Sequence, residues 1–191
     1  MSTGSDGVLE ALLDSWERNN AILCNLLRML PEEGLIAKAA EGSPTIEHQF
    51  EHIHNARLEL VEENAPGFSV CSASIGEIGR RDRGHIERCL HESARAVRDA
   101  VMGKISTREH MRFDYDHPML LLQHMLWHEG YHHGQIKLAL KIAGMPLSDE
   151  AVGPVTWEVW TRSDEGGLGG SGASCLHGSS GVAYASFSVR P

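Results

Sequence analysis

The chain has 191 residues, enough for one domain with a sizeable core and too few for two full-sized ones. Its 17 Lys and Arg against 26 Asp and Glu give a net charge of -9 with no basic block, which argues against nucleic-acid binding, because phosphate contacts need a clustered positive surface. The four cysteines form no C-x-x-C pair, residues 1–7 are not basic, and no run approaches the roughly twenty apolar residues of a membrane span, so a soluble, cytoplasmic protein without a disulfide framework is expected.

From Val8 to Leu30, leucines and Trp16 recur at the three-and-four spacing of an amphipathic helix that Pro31 ends. Ser43-Pro44 then supplies a capping side chain and a first-turn proline for a second helix, predicted from Pro44 to about Glu63 and broken by Asn64-Ala65-Pro66-Gly67. Glycine and serine between Pro66 and Arg83 suggest a long loop with one short turn. Asp82 opens a third helix with apolar positions Ile86, Cys89, Leu90, Ala94, Val97 and Val101, predicted to stop at Gly103. A fourth begins at Pro118, capped by Asp116 or His117, and ends at Gly144.

Four long helices, each with one apolar stripe and no convincing strand pair, predict an all-α four-helix bundle over residues 1–162. Val155, Trp157, Val159 and Trp160 predict an aromatic strap across it. Glycine and serine dominate the remainder, so a disordered tail is expected over 163–191.

Histidine is the compositional outlier, with 12 residues. His128-Glu129-Gly130-Tyr131-His132-His133-Gly134-Gln135 lies inside the fourth helix, where residues four apart stack and His132 stands roughly 40° round from His128. Both face the core side. A lone histidine there is ordinarily a packed residue, but two adjacent buried imidazoles are costly unless something coordinates or bonds them, and this spacing offers two nitrogens to a divalent metal. His124, one turn earlier, is a reserve ligand, and His133 is expected to face solvent. A third ligand has to come from elsewhere. The second helix carries His48, His52 and His54, of which His52 lies at the edge of the apolar stripe and is the best candidate, with His48 as alternative and Glu59 as a group that could orient a ring.

His128-Glu129-Gly130-Tyr131-His132 also matches H-E-x-x-H, in which the glutamate of a zinc peptidase acts as general base. The rest of that pattern is missing: Gln135 and Leu138 stand where one subclass has Gly and His, and Glu150 and Glu158, the available downstream acids, sit by Pro146 and Pro154 in surroundings expected to be non-helical. Glu129 as a base and Tyr131 as a substrate-bonding group remain candidates beside their plain roles in packing.

Phe50-Glu51-His52-Ile53-His54-Asn55-Ala56-Arg57 together with His128 to Ile136 resembles the DinB-like (DinB/YfiT) family over about residues 8–162. The resemblance implies a four-helix bundle with a long crossover, frequently a homodimer, holding a divalent metal on His52, His128 and His132; imidazole ligands suit zinc, nickel, iron or copper without deciding among them. It also implies thiol-dependent transfer, in which a small thiol activated at the metal attacks an electrophile; a metal-binding stress protein without turnover is the alternative. The tail departs from the family pattern.

Overall fold

Four polar side chains set where the helices begin. Thr45 accepts a hydrogen bond from the His48 amide, Asp82 from Gly84, His117 through Nδ1 from Met119, and Ser148 from Ala151, each satisfying an amide that the first helical turn leaves unpaired. The computed structural model describes residues 4–70 and 82–161. These form five helices and no strand: α1 (Gly4–Met29), α2 (Ile46–Asn64), α3 (Arg83–Thr107), α4 (Pro118–Ile142) and α5 (Asp149–Thr156). Residues 71–81 and the expected tail over 163–191 lie outside the described residues. No helix among those described is long and apolar enough to cross a membrane.

The four long helices pack side by side around two apolar clusters. One joins Leu23 to Leu27 of α1 and the Leu30 that follows it, Ile46 to Ile53 of α2, Ile86 to Leu90 of α3 and Ile136 to Leu140 of α4. The other joins Trp16, Val61, Ala94 to Val101, and Leu121 to Met125. The first cluster therefore uses the late turns of α1 and α4 and the early turns of α2 and α3. Hence α1 and α4 run one way and α2 and α3 the other. The fully buried Arg57 of α2 lies between the two clusters.

Two expectations are corrected. The third helix does not stop at Gly103 but runs to Thr107, closed by Arg108 in the left-handed conformation at φ 57°. Gly103 is there for space: a Cβ would stand 2.1 Å from Cζ of Phe68, in the turn after α2. The region around Pro154, expected to be non-helical, folds as α5 with Glu150 in its first turn, followed by a short 3-10 turn over Glu158–Trp160. This strap lies on α1, where Asn25 donates to the Val155 carbonyl at 2.9 Å and Arg18 donates to that of Val159.

In a helix interior, Gly→Ala ordinarily gains about 1 kcal/mol. Here Gly103→Ala is expected to destabilise, and in a Phe68→Ala background the same change is expected to stabilise. Urea unfolding of the four proteins measures the reversal.

Candidate metal centre

Three imidazoles from two helices meet at one point. Nε2 of His128 stands 3.1 Å from Nε2 of His52 and 3.2 Å from Nε2 of His132. One nitrogen from each of the three rings lies within 4.8 Å of the others. The ring centres are 5.1, 5.0 and 4.6 Å apart, and every pair meets edge to face. His52 is exposed, His128 half-buried and His132 buried, so the cluster sits at the edge of the core with one side towards solvent.

Hydrogen bonding among the rings does not account for this arrangement. A neutral imidazole nitrogen carries either one hydrogen or one lone pair and makes one good hydrogen bond. Nε2 of His128 faces two partners. A single cation accepts all three lone pairs at once, and two nitrogens held tetrahedrally at the usual zinc distance of ~2.0–2.1 Å stand roughly 3.3 Å apart. The observed spacings of 3.1 and 3.2 Å fit that geometry. Burial pushes the His128 imidazole down to about 4, with His132, His52, His124 and Arg57 adding in the same direction. His132 is lowered by burial first and by His52 second. Both rings are thus neutral at pH 7, the form in which imidazole binds metal.

Beside the cluster, Glu129 is fully buried and closed off. Arg57 Nε donates to its Oε1 at 2.6 Å, Arg57 Nη2 to its Oε2 at 2.7 Å and Asn19 to Oε2 at 2.6 Å. Arg57 in turn donates through Nη1 to the Asn20 side chain, the Leu90 carbonyl and Ser93 Oγ, and lies 4.8 Å from the Trp16 ring centre. With both carboxylate oxygens bonded and no exposed surface, Glu129 has no route to a substrate proton. Its role is to bind α4 to α2, one residue from His128 and five from the position of His52.

The remaining candidates fall around this centre. His48 is exposed and turned to its own cap, its Nδ1 2.8 Å from Thr45 Oγ1, and takes no part in the cluster. His54 is buried, with Nδ1–H donating to the Cys89 carbonyl at 2.9 Å and its imidazole lowered chiefly by burial. Glu59 is exposed. His133, expected to face solvent, is half-buried instead, and lines a small cavity of about 150 Å³ with Glu129, Trp157 and Trp160. Tyr131, placed on the core side by a helical wheel, is 56% exposed and stacks on Trp127 with ring planes 16° apart. The wheel misleads because nothing among the described residues covers that flank of α4. His124 is outside the cluster, with its Nδ1 2.8 Å from the Tyr115 hydroxyl.

Sequence reasoning missed Arg57 and Tyr115. For Arg57 a signal was present: Ile53, Arg57 and Val61 are four apart, so an arginine stands in register with apolar core positions and demands a buried acid. Glu129 stands likewise in register with Met125 and Ile136. Comparison with protein-family models, curated protein sequences and solved structures returned no match. Fold and site together define a protein whose described residues are all-helical, with a three-histidine group capable of holding a metal ion.

Removing one partner of a buried pair leaves an uncompensated charge, so Glu129→Ala is expected to cost about 3–5 kcal/mol in urea unfolding, while Arg57→Met combined with Glu129→Leu recovers most of it. The histidines give a second expectation. The unfolded chain takes up the His128 proton near pH 6.5 and the metal-free native protein only near pH 4, so the native state holds fewer protons between these values. Stability of the metal-free protein therefore falls as pH drops from 6.5 towards 4. His128→Gln should flatten that slope in thermal melts, leaving the part due to His54, His132 and His133, whose imidazoles are lowered in the same direction.

Proposed function

We propose that the chain is a DinB-like four-helix bundle in which His52, His128 and His132 hold one divalent metal ion, and that it works as a metal-dependent thiol transferase on small electrophiles. The observation that carries the metal site is the convergence of three Nε2 atoms, with two contacts of 3.1 and 3.2 Å on His128. Three imidazole nitrogen ligands suit zinc, nickel or iron, and they leave further coordination to an outside ligand, the pattern of a reactive site more than of a closed structural one.

A divalent ion held there would draw a bound thiol into its thiolate form. The protein's own part is to keep His128 and His132 neutral and to aim three imidazoles at one point, with one side of the cluster facing solvent where a small molecule has access. The thiol chemistry rests on the resemblance of the two histidine segments to the DinB-like family, as does the expectation of a homodimer. A metal-binding protein without turnover shares the same site and differs only in the activity test. The peptidase reading is disfavoured by the engagement of Glu129 with Arg57 and by the lack of a strand edge among the described residues.

Elemental analysis of purified protein is expected to find near one equivalent of metal in the wild type and at least about tenfold weaker retention in each of His52→Ala, His128→Ala and His132→Ala. Chelation should lower the melting temperature of the wild type alone, since a ligand of the native state stabilises it by mass action. Stoichiometric metal surviving all three substitutions refutes the site. Conjugation of a small thiol to a chlorinated or epoxide electrophile by the loaded protein at no more than the background rate refutes the transferase.

A further inference from the structure

We propose that Tyr115 and His124 form a hydrogen-bond arm beside the three-histidine centre, which selects outside ligands that present a negatively charged acceptor atom. The inference rests on the metal-binding reading of that centre. His124 occupies the turn of α4 before His128, and its ring centre is 6.4 Å from that of His128, against 4.6 to 5.1 Å among the three clustered rings. At that distance His124 is too remote to share the ion and near enough to touch something bound to it. It is also exposed, so it stands on the solvent side, from which a ligand would enter.

Tyr115, in the segment before α4, fixes the state of this ring. Its hydroxyl lies 2.8 Å from His124 Nδ1, with the two rings 6.0 Å apart. Burial raises the phenol above its ordinary value, and Asp114 and Glu63 raise it further, so Tyr115 keeps its proton. This phenol O–H is assigned as donor to Nδ1, the one hydrogen-bond partner it has among the described residues, which puts the hydrogen of the neutral ring on Nε2. Nε2 makes no hydrogen bond among the described residues. On this assignment an N–H donor stands on the ring next to the centre, 6.4 Å from His128 between ring centres. A thiolate, carboxylate or azide bound to a cation there offers a charged acceptor to that donor, and hydrogen bonds of this charge-assisted kind are the strong ones. A neutral ligand such as imidazole, whose second ring nitrogen carries a hydrogen, has no acceptor left to offer.

The test uses the full-length protein loaded with Co(II), whose visible spectrum reports the donor set, titrated with azide and in parallel with imidazole. His124→Ala and Tyr115→Phe are expected to hold as much cobalt as the wild type and to bind imidazole equally well. His124→Ala is expected to bind azide about tenfold more weakly, the effect of one hydrogen bond to a charged group, and Tyr115→Phe to shift the same way by less. Equal azide affinity in the loaded wild type and His124→Ala overturns the arm. Loss of cobalt from His124→Ala also overturns it, by making His124 a ligand. A folded wild type that takes up no cobalt overturns the metal reading and the arm with it.

Discussion

The bidentate contact between Arg57 and Glu129 is the interaction on which the arrangement of the site depends. Both side chains are fully buried, and each would be heavily penalised alone, since transferring a single ion out of water costs several kcal/mol even after relaxation. Paired, they tie α2 to α4 at two points of contact, 2.6 and 2.7 Å. Arg57 also bonds α1 through Asn20 and α3 through Leu90 and Ser93, so one guanidinium touches all four long helices at the layer between the two apolar clusters. Apolar packing alone tolerates sliding of one helix along another; a planar five-donor fork does not. The relative height of α2 and α4 is set there, and with it the meeting of His52 with His128 and His132.

This explains how one short segment of α4 serves two purposes. His128 and His132 lie on its border facing α2 and solvent, whereas Glu129, about 100° round the helix, faces the interior. The pattern H-E-x-x-H is therefore split between chemistry and architecture. In a peptidase the glutamate would need to reach the ligand of the metal; here its oxygens are occupied by Arg57 and Asn19. The neutrality of the histidines follows from the same placement, because partial burial and the mutual proximity of the rings both disfavour protonation.

Helix positions were largely legible in the sequence because caps and apolar periodicity are local. Asp82, His117 and Pro118 start α3 and α4 where predicted, and the second helix begins two residues later than expected because Thr45, not Ser43, is its cap. The errors have tertiary causes. Gly103 reads as a stop but is a contact with Phe68, and Pro154 reads as a break but is accommodated within α5, which is tied to α1 by side chains 130 residues earlier. Likewise Tyr131 and His133 exchanged places relative to expectation, because the strap carrying Trp157 and Trp160 covers one flank of α4 and nothing described covers the other.

By itself the sequence determined that the chain is helical, that His128 and His132 share a face, and that His52 borders the apolar stripe of its own helix, since each follows from spacing along a single helix. Only the tertiary structure decided that the three rings converge, that His48 and His54 turn elsewhere, that Glu129 is bound to Arg57, and that Tyr115 reaches His124. The physical reason is that a helical wheel gives an angle about one axis, while convergence needs the height and rotation of two helices relative to each other. Those are set by contacts between residues 72 positions apart, and no local pattern records them.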